Sequence, residues 1–336
     1  MPADEEFMRE AIREARKGAG GTHPNPAAGA VIVSGKRIVA KGWHRAAGGP
    51  HAEIEALERA RQKARGATLY VTLEPCSTQG RTPPCTGAII EAGLARVVYG
   101  ATDPNRKHSG RAASLLSSAG IEVQPGVLAG PCAALNPEWN KWISTGMPYV
   151  IAKAAMTLDG RINSPPESRW ITSEAARQDA MKLRNRVQAI LVGGGTIRVD
   201  NPQLTVRGIS PSSQPLRVVW TRSGQLPATA KIFTDEYRDR TLVLKGISLR
   251  SALRELGSRE IASVLIEGGG RVLGEAFDAS LVDEVCFYMA PLLIGGATPV
   301  TGGRGVPDNQ HAVRLSSVRF KRIGSEVRLT ATVLKK

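Results

Sequence analysis

Residues 72–85 read TLEPCSTQGRTPPC, and this stretch decides what the N-terminal half of the chain can be. The β-favouring run Thr68–Leu73 predicts a strand that ends shortly before Cys76. Two prolines directly precede Cys85 and are typical of a helix start. The positive partial charge of a helix N-terminus favours the thiolate form of a nearby cysteine. The sequence therefore predicts two reactive thiols, with eight residues between them, at the junction of a strand and a helix.

A histidine and a glutamate lie upstream of these thiols, in the run His51-Ala52-Glu53 at the start of a predicted helix, 51–65. One imidazole and two thiolates make a three-ligand zinc site with an open fourth position, which is typical of catalytic zinc. Glu53 is two residues from His51, so it can face the open position without binding the metal. A glutamate there can take a proton from the attacking water and pass it to a leaving amine. We therefore predict His51, Cys76 and Cys85 as zinc ligands and Glu53 as the catalytic residue.

Two other interpretations of these residues are a structural zinc site and a pair of unrelated packed cysteines. Structural sites usually supply four ligands, and no fourth is evident, because His23 and His44 lack ligand-like spacing. The remaining cysteines, Cys132 and Cys286, lie in apolar surroundings and are predicted to be packed thiols. The pattern favours the catalytic interpretation, since zinc nucleobase deaminases combine His-x-Glu and Pro-Cys motifs in this way.

The chain is long enough for two domains, with 336 residues. Helix and strand signals alternate along its first part, which includes a helix capped by Asp4 and a hairpin at 28–40. This alternation predicts an α/β sandwich, and a break at Gly146 precedes a second alternating series. We predict one domain over 1–146 and another over 147–336.

Four motifs of the first half resemble the deaminase half of the bifunctional deaminase–reductases of riboflavin biosynthesis: THPNP at 22–26, HAE at 51–53, TLEPC at 72–76 and GRTPPC at 80–85. The eight-residue spacing of the cysteines is much more specific for this family than for other zinc nucleobase deaminases, most of which have two. The resemblance implies a cytidine-deaminase-like α/β/α sandwich that acts on 2,5-diamino-6-ribosylamino-4(3H)-pyrimidinone 5′-phosphate.

The same resemblance implies roles for individual residues. It assigns zinc to His51, Cys76 and Cys85 and the proton transfer to Glu53, and it places Asn25 and His44 near the ring or the ribose. The loop Ser77-Thr78-Gln79 departs from the Ser-His-His that this family often has. Because this loop lies between the ligands, we expect it to adjust substrate contacts and to leave the metal site complete.

Two glycine clusters in the second half, at 193–195 and 268–270, follow predicted strands and lead into predicted helix starts. Backbone N–H groups at such a start can hold a phosphate or a pyrophosphate. Tight turns between strand and helix are the alternative interpretation. No Gly-x-Gly-x-x-Gly follows a strand, so that dinucleotide fingerprint is absent from the sequence.

Three motifs of the second half resemble the reductase half of the same family: KAAMTLDGR at 153–161, SRWITS at 168–173 and DNPQLTVR at 200–207. That half resembles dihydrofolate reductase in fold, which implies an α/β domain that uses NADPH to reduce the opened ribosyl group to a ribityl chain. The NADPH contacts implied by the resemblance are Ala155, Trp170, Thr196, Asp200, Gly269, Gly270, Arg271, Val272, Leu273, Gly274 and Glu275. The implied substrate contacts are Ser168, Arg184, Leu204, Arg207 and Glu267, where the two arginines suit a 5′-phosphate because a guanidinium matches its oxygens.

The run Thr221-Arg222-Ser223-Gly224 follows a predicted strand at 216–220 and is our candidate for the 2′-phosphate of NADPH. A hydroxyl, a guanidinium and a turn can together hold that dianion, whereas the alternative is that Arg222 is a solvated turn residue. Two departures from the family pattern bear on cofactor fit. The run at 164–167 replaces a commoner segment, and Ala155 stands where some members have glycine.

The net charge of +15 raises the possibility of a nucleic-acid partner. The alternative function is therefore an editing deaminase of the tRNA-adenosine type with an accessory domain. The cysteine spacing, the glycine clusters and an aromatic content of only 4% oppose it, because stacking platforms for single strands are scarce. A non-enzymatic basic binding module with an inactive deaminase fold is a further alternative, which the complete set of predicted ligands and Glu53 opposes.

The sequence also sets expectations about location and partners. It has no apolar run of membrane length, and its start carries acids where a secretory signal needs apolar residues. We expect a cytoplasmic enzyme for a small phosphoribosyl-pyrimidine, with no nucleic-acid or membrane partner. The family resemblance implies a homo-oligomer.

Overall fold

The computed structural model describes residues 2–80, 82–105, 108–162, 170–209, 213–296 and 298–335. By its internal contacts the chain divides into two units, Met1–Gly146 and Met147–Lys336. Gly146 follows the last helix of the first unit with a φ of 70°, a left-handed conformation that glycine adopts without strain. Each unit has its own sheet and its own apolar cores.

The described part of the first unit contains five strands and six α-helices. The strands are β1 (Gly29–Ser34), β2 (Arg37–Trp43), β3 (Thr68–Leu73), β4 (Arg96–Ala101) and β5 (Glu122–Pro125). The helices are α1 (Pro2–Arg16), α2 (Ala52–Ala60), α3 (Cys85–Glu91), α4 (Arg111–Ser118), α5 (Ala129–Ala133) and α6 (Pro137–Thr145), and a 3₁₀ segment (Arg61–Ala64) continues α2.

The strands of this unit form a sheet in the order β2-β1-β3-β4-β5. Strand β1 runs antiparallel to β2 and β3, whereas β3, β4 and β5 are parallel. Successive side chains of a strand point to opposite faces of the sheet. Accordingly Ala30 and Ile32 pack in one core with α2, α3 and α4, while Val31 and Val33 pack in the other with α1 and α5. The predicted α/β/α sandwich is thus confirmed.

One prediction for the first helix is wrong. Asp4 does not cap α1, because the helix already begins at Pro2. The Asp4 carboxylate instead accepts hydrogen bonds from the Tyr70 hydroxyl (2.7 Å) and from Arg96 (2.8 Å), so it joins the helix to β3 and β4. The short helix α5, which contains a glycine and a proline, was not predicted because five residues carry no readable helical period.

The described part of the second unit contains eight strands and five α-helices. The strands are β6 (Tyr149–Thr157), β7 (Ala189–Gly193), β8 (Leu216–Thr221), β9 (Thr241–Lys245), β10 (Ser263–Ile266), β11 (Glu284–Ala290), β12 (Leu315–Ile323) and β13 (Glu326–Val333). The helices are α7 (Glu174–Arg186), α8 (Gly194–Asp200), α9 (Lys231–Thr234), α10 (Leu249–Ser258) and α11 (Gly270–Asp278).

These strands form a sheet in the order β12-β13-β11-β6-β10-β7-β8-β9. The six strands from β11 to β9 are parallel, and β13 and β12 add an antiparallel hairpin at one end. Helices α10 and α11 pack on one face, and α7, α8 and α9 pack on the other. In a parallel sheet the carboxyl ends of neighbouring strands lie at one edge, so the turns after β7, β8 and β10 are brought together.

The hairpin β12–β13 was not predicted, although the sequence carries a signal for it. Val327, Leu329, Ala331 and Val333 alternate with polar residues after a turn at Gly324, which is the period of a half-buried strand. Across the described chain, no helix combines the length and the apolarity that membrane crossing requires.

Candidate functional sites

The residues His51, Cys76 and Cys85 come together in the first unit, and their ligand atoms all lie within 4.8 Å of one another. His51 directly precedes α2, Cys76 lies in the loop after β3, and Cys85 is the first residue of α3. His51 Nδ1 is 3.2 Å from Cys85 Sγ and 3.6 Å from Cys76 Sγ. A tetrahedral zinc ion with bonds of ~2.0 Å to nitrogen and ~2.3 Å to sulfur holds such atoms about 3.5 Å apart. The donors and their spacing therefore fit zinc.

The two thiols share hydrogen bonds that favour one thiolate. Cys76 Sγ accepts a hydrogen bond from the backbone N–H of Cys85 at 3.2 Å, at the N-terminus of α3. The hydrogen bond from the Cys85 thiol and the neighbouring His51 lower the pKa of Cys76 to about 4. The same thiol–thiol contact, together with burial, raises the pKa of Cys85. The site thus offers a preformed negative charge to a cation.

Glu53 lies in the first turn of α2 and is 4% exposed. Burial raises the pKa of its carboxyl group, and its side chain interacts with the Cys85 thiol. Because it is excluded from water beside the metal-binding group, it can hold a proton during part of a reaction and release it in another part. On the other side of the imidazole, His51 Nε2 is 3.4 Å from the Thr82 hydroxyl oxygen, a contact that orients the ring.

Asn25 and His44 also lie at this site. The His44 ring is 5.3 Å from the His51 ring, centroid to centroid, and is 2% exposed. His44 Nδ1 is 2.9 Å from the carbonyl oxygen of Pro50, so it donates, and Nε2 then accepts from Asn25 Nδ2 at 3.1 Å. Burial lowers the pKa of His44, which keeps the ring in this neutral form. The structure therefore holds the Asn25 amide in one orientation beside the metal-binding group.

A contribution that the sequence analysis missed comes from Glu74, two residues before Cys76. Its carboxylate is buried and accepts three backbone N–H bonds, from Asp103, Gly110 and Ala112, at 3.0–3.2 Å. Glu74 thereby joins the ligand loop to the N-terminus of α4. These partners are about 30 to 40 residues away in the sequence, so no local motif could have pointed to them.

In the second unit the two glycine clusters form adjacent turns. Gly193 and Gly269 are the N-cap residues of α8 and α11, as the strand–turn–helix pattern predicted. A Cβ on Gly193 would lie 2.8 Å from Val272 Cγ2, and a Cβ on Gly268 would lie 2.7 Å from Val272 Cβ. Val272 therefore packs against both turns, and two helix N-termini with bare backbone lie side by side.

The predicted substrate contacts Arg184 and Glu267 form an ion pair with each other. Arg184 Nε and Nη2 donate to the Glu267 carboxylate at 2.7 and 2.8 Å, and Lys153 Nζ is 3.6 Å from the same group. Although burial opposes the charge, these cations lower the pKa of Glu267 to about 2. Arg184 also donates to the Thr205 carbonyl oxygen. Lys153 is the first residue of the motif at 153–161, and the sequence analysis assigned it no role. Its proximity to Glu267 becomes visible only when β6 pairs with β10.

Arg207 adds a further positive charge near Arg184, although partial burial and the charge of Arg184 both lower the pKa of its guanidinium. Its side chain is exposed and donates to Gln203 and Thr205. Of the two arginines predicted to bind the phosphate, Arg184 and Arg207, it is Arg207 that remains accessible to it. Leu204, by contrast, is 2% exposed with its side chain in the core and has a φ of 54°, so it can touch a ligand only through its backbone.

The other residues predicted to contact the cofactor or the substrate differ in their solvent exposure. Trp170, Asp200 and Arg271 are exposed, whereas Ala155, Thr196, Gly269 and Glu275 are half-buried, and Ser168 lies outside the described residues. The side chains of Val272 and Leu273 belong to the core. Gly270 and Gly274 lie against the backbone of Pro299 and Gly303, so any contact from these four residues to a cofactor would use the backbone. Arg222 is exposed at the end of β8.

These features define a two-unit enzyme: a zinc-binding unit of the cytidine-deaminase class, followed by an α/β unit with two adjacent glycine-rich turns. Residues 1–101 match the family described as the cytidine and deoxycytidylate deaminase zinc-binding region, and residues 148–329 match the RibD C-terminal domain. The chain belongs to the RibD family of riboflavin biosynthesis.

Relatives of this family match nearly the whole chain. The riboflavin biosynthesis protein RibD of Bacillus amyloliquefaciens is 40% identical over 98% of this chain and 96% of its own length. The Synechocystis protein of the same name is 42% identical over 97% and 95%. The structure of Acinetobacter baumannii RibD covers 99% of both chains with a TM-score of 0.92 and 36% identity. That of a Thermotoga maritima diaminohydroxyphosphoribosylaminopyrimidine deaminase/5-amino-6-(5-phosphoribosylamino)uracil reductase covers 99% of both with 0.87 and 37%. The editing alternative is not favoured.

Proposed function

We propose that this chain performs two successive steps of riboflavin synthesis. The first unit, over 1–146, hydrolytically deaminates 2,5-diamino-6-ribosylamino-4(3H)-pyrimidinone 5′-phosphate. The second, over 147–336, reduces the ribosyl group of the product to ribityl with NADPH. The observation that carries the proposal is the cluster of His51, Cys76 and Cys85 beside the buried Glu53, in a family whose named relatives match both units.

In the deamination, water replaces the ring amino group and ammonia leaves. Zinc, when bound, supplies a Lewis acid that makes water acidic enough to react near neutral pH. Glu53 accepts a proton from the attacking water on its carboxylate and returns it to the nitrogen of the leaving amine. The fixed Asn25 amide and the neutral His44 orient the ring, since both are held by the hydrogen bonds described above. Burial of Glu53 keeps solvent from competing for that proton.

In the reduction, NADPH supplies a hydride and the medium supplies a proton. The paired glycine turns at 193–195 and 268–270 present backbone N–H groups to the cofactor's pyrophosphate. Arg207 binds the substrate phosphate. Arg184 and Lys153 hold Glu267 in its charged form, as an acceptor for ribosyl hydroxyl groups. Buried carboxylates in such pairs keep one orientation, which suits recognition of a sugar.

We also propose that the protein is a homo-oligomer. Strand β12 is an edge of the eight-stranded sheet formed by the described residues, and its Val318 and Phe320 are 45% and 68% exposed. An unpaired sheet edge that exposes large apolar side chains can pair with another chain. Sedimentation over a range of protein concentrations tests the proposed oligomer. A monomer at every concentration would contradict it. None of the four cysteines forms a disulfide, which fits a location in the reducing cytoplasm.

The two steps can be separated with one substitution. We expect Cys85→Ser to lower the zinc content and abolish ammonia release, because a hydroxyl is a much poorer zinc ligand than a thiolate. The reduction should survive in the same variant when the deaminated intermediate is supplied, since the predicted ligands all lie in the first unit. Zinc is measured by elemental analysis and the products by mass. Full zinc content and full ammonia release in Cys85→Ser would overturn the ligand assignment.

A further inference from the structure

Lys245 lies beside the turn that we propose for the 2′-phosphate of NADPH. It is the last residue of β9, and in the parallel pairing of β8 with β9 it lies opposite Thr221, the last residue of β8. The next residue, Gly246, donates its N–H to the Thr221 carbonyl oxygen at 3.0 Å. The backbone of Lys245 is therefore fixed next to the run 221–224.

The side chain of Lys245 is held there as well. Gly224 has a φ of 74°, and a Cβ at this position would lie 2.7 Å from Cδ and 3.2 Å from Cε of Lys245. The aliphatic stem thus packs across the face of Gly224, while the Gly224 N–H donates to the Thr221 hydroxyl at 3.3 Å. A stem that is already packed loses less side-chain entropy when its ammonium group binds a ligand.

Among the described residues, the two cations at this place have no acidic partner. Lys245 and Arg222 are both exposed, and neither forms an ion pair with any residue that the structure describes. Elsewhere in the same unit, buried cations are neutralised: Arg217 pairs with Asp235 at 2.6 Å and Arg184 with Glu267 at 2.7 Å. Two unneutralised positive charges on adjacent strand ends attract an anion, and a doubly charged one most strongly.

We propose that Lys245 determines cofactor specificity by binding the 2′-phosphate together with Arg222. This inference rests on the proposed NADPH-dependent reduction and adds a residue to it. A single exposed arginine is compatible both with a solvated turn and with a phosphate site. A second cation that packs against the same turn from another strand favours the phosphate site. Arg222 approaches from the end of β8 and Lys245 from the end of β9, so the dianion binds between them.

The test uses a pair of probes that differ by this phosphate alone, adenosine 2′,5′-bisphosphate and adenosine 5′-monophosphate. Their dissociation constants are measured by calorimetry on the full-length protein. We expect Lys245→Ala to weaken the bisphosphate about 5- to 20-fold, as for a partly screened charged contact, and to leave the monophosphate unchanged. Lys245→Arg keeps the charge and should recover most of the affinity. Lys63→Ala removes an exposed lysine of the first unit and is the matched control, with both affinities unchanged.

The outcomes separate this inference from the function on which it rests. If the unmodified protein binds both probes equally, NADPH is not the cofactor and the proposed reduction fails. If it prefers the bisphosphate but Lys245→Ala retains that preference, only the role of Lys245 is overturned. Steady-state kinetics give a second readout: Arg222→Asp and Lys245→Ala should each raise the Michaelis constant for NADPH and change that for NADH little. Equal changes for both cofactors would contradict the assignment.

Discussion

At the scale of single residues, the predicted metal ligands can be identified from the spacing of their motifs. The residues that support the two sites cannot be identified in this way. The predicted ligands and the nearby glutamate can be identified from three short motifs, because each of these residues lies at or near the end of a helix or strand. Glu74, Lys153 and Lys245 could not be found in this way. Their partners are distant in the sequence, and a strand-end lysine or a buried glutamate has no local signature before the sheet order is known.

Glu53 provides the sharpest test at this scale. We expect Glu53→Gln to keep zinc bound and to reduce deamination by roughly 100- to 10,000-fold, because an amide can donate and accept hydrogen bonds but cannot carry the proton. Ammonia release and zinc content are measured on the same sample. Glu58→Gln, an exposed neighbour on α2, should retain full activity. A loss of less than about tenfold in Glu53→Gln would mean that another group moves the proton.

At the scale of elements, long and strongly patterned segments were predictable, and short or peripheral ones were not. β3 has the predicted bounds, and the hairpin β1–β2 turns where Gly35 allows a positive φ. Helices α5 and α9 are only five and four residues long, and their existence depends on packing against the sheet. The wrong role of Asp4 has the same origin. A tertiary ion pair with Arg96 replaced the local cap that its position suggested.

The contact of Val272 with two turns leads to a prediction about how α11 packs against them. Gly193→Ala should be destabilising because its Cβ would meet Val272 Cγ2, and adding Val272→Ala should relieve most of that cost, since the γ-methyl groups are gone. Gly268→Ala should not be relieved by the same change, because its Cβ meets the Val272 Cβ that alanine retains. Overpacking of this kind costs about 1–3 kcal/mol.

The measurement is the free energy of unfolding of the two single glycine variants, of Val272→Ala and of the two double variants. The interaction energies of the two double-mutant cycles should differ, with a large value for Gly193 and a small one for Gly268. Equal interaction energies would show that the turns relax independently of Val272.

At the scale of the whole molecule, the described chain carries two sheets, and each of its four core clusters belongs to one unit. In the sequence, the basis for predicting two domains is a glycine break and the restart of strand signals. It could not predict that the second sheet ends in an antiparallel hairpin, because that pairing is set by the neighbouring strand β11.

Zinc removal should therefore affect the two units unequally. A ligand present at about 1,000 times its Kd stabilises a fold by about 4 kcal/mol, so chelation should destabilise the first unit by about that much or more. We expect faster amide exchange in β3 and α2 after chelation and unchanged exchange in β6 and β10. Hydrogen exchange read by mass spectrometry checks this. Equal loss of protection in both units would show that the metal stabilises the chain as a whole.

The side chain at position 272 also limits how this chain can diverge over evolutionary time. Because Val272 faces both turns, a lineage can accept a side chain at 193 only after 272 has lost its γ-methyl groups, and it can accept one at 268 only after 272 has become glycine. Substitutions at the two turns are consequently ordered, and the reverse order passes through a destabilised intermediate. Descendants of this sequence should keep both glycines for as long as a branched residue occupies position 272.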